Sequence, residues 1–153
     1  MRRITLGLGF LPALVFLAGC GGGGTPSDTT NAADATTLTS PYDAGPRAAE
    51  APIAQAQVER GRGLFRTKGC SACHAFGRKV TCPDLKGVTM RRTSEWMEHQ
   101  ILHPEIMTKE DPISHQLLGT YSLQMPNQGL TEDQARAVIE FFKFEDDSLG
   151  VHP

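Results

Sequence analysis

The chain has 153 residues, a formal net charge of -2, four cysteines, 39% hydrophobic and 21% charged residues. These values describe a soluble globular protein of one domain plus tails, and exclude a large barrel enzyme or a multi-span membrane protein. The near-zero charge gives no reason to expect nucleic acid as a partner, and four cysteines are too few for a disulfide-dense mini-domain.

At the start of the chain, Arg2 and Arg3 precede an apolar run over 4–18, broken by Thr5, Gly7, Gly9 and Pro12. A charged segment followed by a short apolar one reads as a signal peptide and is too short for a transmembrane span. The run ends in Leu17-Ala18-Gly19-Cys20, which resembles the lipobox of bacterial lipoproteins. The resemblance implies removal of residues 1–19 and a diacylglycerol on Cys20. It implies a mature protein held in the cell envelope on the periplasmic side. Gly21 stands where Asp would signal inner-membrane retention in that family, which favours the outer membrane over the inner.

Residues 20–52 are rich in Gly, Thr, Ser, Asp, Ala and Pro and read as a flexible tether. Such a coil spans roughly 30 Å on average. Residues 53–146 are expected to form the domain, and 147–153 a tail.

Within the domain, Val58, Gly61 and Phe65 recur at helical spacing, predicting a helix over 55–67 that stops at Gly69. Gly61 inside it points to a close backbone approach. A second helix begins near Thr93 or Ser94, carries Met97 and Ile101 on one face, and must end before Pro104. Asp111-Pro112 opens a short helix holding Ile113, Leu117 and Leu118 and stopped by Gly119. Thr131 and Gln134 form a capping box for the last helix, whose stripe is Ala135, Val138, Ile139 and Phe142. No stretch alternates well enough for a sheet, so the expected class is all-α. Four short helices make a thin core, and something else is needed to fill its middle.

Cys70-Ser71-Ala72-Cys73-His74 names the filler. Cys-x-x-Cys-His is the attachment signature of c-type haem: two thiols on one tight turn reach the two vinyl groups, and the adjacent histidine falls under the iron. A thioredoxin-type disulfide would want a βαβ setting, and a zinc site a second ligand pair; the sequence offers neither clearly.

With these residues in place, the chain from about Val58 to Phe144 resembles a class I monohaem cytochrome c. The resemblance implies a small helical domain wrapped around one covalent haem c. Gly61 and Phe65 would pack against Phe141 or Phe142. Pro83-Asp84-Leu85 is similar to the family's proline loop, so the Pro83 carbonyl would accept the Nδ1 proton of His74 and Leu85 would pack on the haem. The resemblance also places a propionate partner at Trp96. Met125-Pro126 lies where the family places its axial methionine, making His74 and Met125 the iron ligands. The rival sulfurs and imidazoles are Met90, Met97, Met107, His99, His103 and His115.

Cys82 stands where relatives have glycine. It reads as a small buried residue or, alternatively, as an exposed thiol able to dimerise the chain or respond to redox state. Glu95, His99 and His103 follow an i, i+4 spacing that could bind zinc or copper, though such a face is more often solvated. Charge is partitioned: 53–92 carries nine basic and two acidic residues, and 93–153 three basic and eleven acidic. A basic zone near the haem motif would steer the domain to an acidic docking patch on redox partners.

The expected function is single-electron transfer between membrane and periplasmic redox enzymes. With both axial positions filled, the chain is a carrier and not an enzyme. The alternative is a haem subunit of a larger reductase or oxidase complex, such as a nitrous oxide reductase or terminal oxidase system.

Overall fold

The computed structural model describes residues 38–153. The signal peptide, Cys20 and the first part of the tether lie outside the described residues.

Helix α1, Gln55–Thr67, has the bounds its spacing predicts. Its first turn has no side-chain cap of its own; the Ala54 amide instead donates to Glu140 Oε2 at 2.7 Å. α6, Glu132–Ser148, starts from the expected capping box, with Gln134 N donating to Thr131 Oγ1 and Thr131 N to Gln134 Oε1. The two helices cross at Gly61. A Cβ there would sit 1.9 Å from the Ala137 carbonyl oxygen and 2.9 Å from Phe141 Cβ, so only glycine permits the approach. Beside the crossing, the Phe65 ring lies 5.5 Å from Phe141 and 5.8 Å from Phe142. Both candidate aromatics serve, and Phe76 joins them at 5.7 Å from each. Edge-on contacts of this kind add to the burial of the rings.

Between these helices run α2, Val88–Arg91; α3, Ser94–Leu102; α4, Pro104–Glu110; and α5, Pro112–Tyr121. Thr93 caps α3 through the Trp96 amide, and Trp96, Met97 and Ile101 face the core. Sequence reading uses Pro104 only as a stop. In the fold it is also a start, occupying the first turn of α4 where no amide hydrogen is needed. Asp111 caps α5 as expected, accepting from Ser114 N at 2.9 Å. Gly119 does not end α5. It sits exposed within the helix, and the left-handed turn comes at Ser122, with φ +52°. Among the described residues there is no strand, and the fold is all-α.

The tether expectation fails for residues 40–52. Ser40 caps a 3-10 turn, Pro41–Asp43, and a second turn, Ala48–Glu50, buries Ala48. Asp43 is the reason. Its carboxylate accepts from Thr93 N at 2.8 Å and pairs with Arg47 at 2.9 Å and Arg92 at 3.2 Å. Thr93 Oγ1 donates to the Tyr42 carbonyl, and the Tyr42 ring stacks 4.1 Å from His99. A polar segment is thus held against α3 by charge pairing and one aromatic contact, which bulk composition does not reveal.

Candidate functional site

Gly69, at φ +81°, ends α1 and turns the chain into a short 3-10 segment, Cys70–Ala72. Cys73 N and His74 N both donate to the Cys70 carbonyl, so the five-residue motif is one tight turn. His74 Nδ1 lies 2.9 Å from the Pro83 carbonyl. That contact requires the proton on Nδ1 and leaves Nε2 as the free ligand atom. Burial lowers the His74 pKa, opposed in part by the Pro83 hydrogen bond, so the ring is held neutral.

The loop between motif and proline is laced by its own backbone. Cys82 N donates to Cys73 O at 3.1 Å and Leu85 N to Ala75 O at 2.9 Å. Asp84 Oδ1 accepts from Gly77 N and Lys86 N. Its far end is clamped by Asp146, 1% exposed, which accepts from Gly87 N at 2.6 Å, Thr89 N at 3.1 Å and Thr89 Oγ1 at 2.6 Å. Sequence reasoning missed Asp146. A signal was present: an acid four residues beyond Phe142 continues the apolar stripe of α6.

Residues 122–130 form a second loop, without helix or strand. Its holds are amide side chains. Gln124 Nε2 donates to Thr108 Oγ1 at 2.8 Å and to the Pro104 carbonyl at 3.1 Å. Asn127 Nδ2 donates to the Leu102 carbonyl, while its Oδ1 accepts from Gly129 N, both at 2.9 Å. Met125 is half-buried, and Gln100 Nε2 lies 3.7 Å from its sulfur.

The two loops border one cleft. Cys70, His74, Cys82, Pro83 and Leu85 line it from the first, and Leu123, Met125 and Gln128 from the second. Phe65, Ile101, Leu117 and Phe142 supply apolar surface between them. Among the described histidines and methionines, only His74, Met97 and Met125 reach this lining. Met97 is 2% exposed on the packed face of α3, the core position expected of it. Met107 is buried on α4, His115 Nδ1 is engaged with the Thr108 carbonyl, and His99 is stacked on Tyr42. An apolar slot with one imidazole, one thioether and a thiol turn at its edge fits an iron porphyrin.

One sequence expectation changes here, and two open alternatives narrow. Trp96 Nε1 donates to Asp111 Oδ1 at 3.1 Å, so its hydrogen goes to a buried carboxylate and not to a propionate. Cys82 is 6% exposed, which removes the exposed-thiol reading and leaves the packed one. Burial raises its pKa and keeps it a thiol. Among the described residues no group of three His, Cys, Asp or Glu is arranged to hold a metal, and Glu95, His99 and His103 make no such site.

The family model for cytochrome c matches residues 58–143. The chain belongs to the cytochrome c family. Membership brings one covalent haem c and haem-based electron transfer. The cytochrome is similar to solved structures of cytochrome c from Rhodothermus marinus, with 32% identity and a TM-score of 0.61 over 63% of this chain and 83% of that one. An engineered form of that protein matches at 31% identity and a TM-score of 0.60, again over 63% and 83%. The same engineered form bound to a carbene intermediate matches at 32% and 0.57, over 63% and 82%. No curated protein matches the cytochrome.

Proposed function

We propose that this cytochrome carries single electrons in the cell envelope through a haem bound by Cys70 and Cys73 and ligated by His74 and Met125. The observation that carries this reading is the meeting of His74 and Met125 at one apolar cleft. When bound, the haem supplies an iron that takes up and returns one electron. The chain's own residues do the rest. Pro83 orients His74 and sets its tautomer, Leu85 and Phe65 exclude water, and the Met125 thioether favours the ferrous state as a carrier needs. With imidazole and thioether both committed, no position is left for a substrate, and the protein acts as a carrier. Replacing Met125 by Ala is expected to abolish the methionine-to-iron charge-transfer band of the ferric protein. A band left unchanged would contradict the ligand assignment.

We also propose that Cys20 carries the lipid anchor on the periplasmic side, with the outer membrane favoured, and that residues 21–37 serve as tether, Leu38 being packed on the core. Seventeen residues of this composition reach roughly 23 Å. The partners are redox proteins with an acidic docking patch. Among the described residues, Arg66, Arg78, Lys79 and Lys86 form no ion pair. Lys79 Nζ lies 4.7 Å over the ring of Tyr121, a cleft residue, and Lys68 reaches the Gly129 carbonyl. Basic groups therefore stand where the two loops meet. The acidic half is largely engaged internally: Glu98, Glu132 and Asp133 face Arg136, and Asp111 and Asp146 cap backbone. Electron-transfer rates should fall steeply with added salt. A flat profile would end the docking proposal.

A further inference from the structure

We propose that Gln100 is a positioning residue for the sixth iron ligand, donating its Nε2 hydrogen to the Met125 thioether and so tuning that ligand. The inference rests on the reading of Met125 as an axial ligand. It adds a role for a residue that no sequence motif marks.

Two observations carry it. Gln100 Nε2 stands 3.7 Å from Met125 Sδ, and both residues line the cleft. Among the described residues it is the only side chain hydrogen-bonded to that sulfur; Gln124 and Asn127 hold the loop by other atoms. Independently, Gln100 Oε1 is buried and has no partner. A buried amide oxygen is ordinarily satisfied, so leaving it bare needs a reason. Turning the amide over would set oxygen lone pairs against sulfur lone pairs and lose the donor. The orientation that feeds the sulfur is kept at the expense of the oxygen.

The placement is rigid. Gln100 sits on α3, whose neighbouring residues Trp96, Met97 and Ile101 are packed in the core and whose first turn is capped by Thr93. A loop ligand is thus steered from a fixed helix. The chemistry follows from the thioether, which has two lone pairs. One can face iron while the other accepts the amide hydrogen. Accepting that hydrogen draws density from sulfur and makes it a poorer donor to ferric iron, which raises the reduction potential. It also restrains the thioether from swinging away, so outside ligands compete less well.

The test uses the matured holoprotein and two variants, Gln100→Leu and Gln100→Glu. The second keeps the side-chain length and removes the donor at neutral pH. Ferric affinity for imidazole should rise about three- to tenfold in both, the equivalent of one lost hydrogen bond. The potential of Gln100→Leu should fall. Loss of the ferric methionine-to-iron band in either variant would also support the proposal. Unchanged imidazole affinity in both, or an unchanged or raised potential in Gln100→Leu, would overturn it. Met125→Ala separates the two readings. If it loses the band while the Gln100 variants behave as wild type, only the Gln100 role fails. If it keeps the band, Met125 is not the ligand and both fail.

Discussion

The two loops that border the cleft are held by different means. Around His74 the chain is fastened by backbone hydrogen bonds and by a buried carboxylate, Asp146, with contacts of 2.6–3.1 Å. Around Met125 it is fastened chiefly by three amide side chains, Gln100, Gln124 and Asn127, with Lys68 on the Gly129 carbonyl, on a segment with no regular structure. Buried bonds to backbone break only with the fold, whereas side-chain holds near the surface can be lost one at a time. The imidazole side is therefore part of the architecture, and the thioether side is the part that can be tuned.

The largest effect should come from the imidazole side itself. His74→Ala, matured in cells, should reduce covalent haem to background, and near-normal haem content would break the contrast. Next is the frame common to both loops. Gly61→Ala drives a methyl into the Ala137 carbonyl and should cost about 3 kcal/mol in denaturant unfolding. Asp146→Ala leaves two amides and a hydroxyl without partners and should cost a similar ~3 kcal/mol, with Asp146→Asn losing less. Asn127→Ala, the matching change on the thioether side, should cost only about 1 kcal/mol. Equal losses for Asp146→Ala and Asn127→Ala would erase the difference between the loops.

The smallest effect is on pH. Because burial depresses the His74 pKa in the folded chain, the unfolded state takes up a proton that the folded state refuses. Stability should be flat above the ordinary imidazole range and decline as pH falls through it. Chemical denaturation across that range reads the slope.

Much of this was legible in the residues. The five-residue motif, the Pro83 carbonyl and the Met125 loop came from local pattern and resemblance, and α1, α3 and α6 from periodicity and caps. What stayed hidden depends on long-range partners. α4 was lost because Pro104 both ends one helix and begins the next, and one residue cannot announce both. Residues 40–52 looked like linker because their hold is Asp43 finding Thr93, Arg47 and Arg92, two of them some fifty positions away. Trp96 found Asp111 where the resemblance had offered a propionate. Gln100 carries no signal at all until the fold brings it to Met125 Sδ.

The central claim is a haem fixed covalently by the turn Cys70-Cys73 in this cleft. The most direct measurement is a pyridine haemochrome spectrum of the chain made with a cytochrome c maturation system, after denaturation and removal of free haem. One bound haem per chain with both vinyl groups saturated is expected, and a spectrum shifted toward single-thioether attachment in Cys73→Ala. Haem that washes away from the wild-type chain, or an unshifted spectrum in Cys73→Ala, would contradict it.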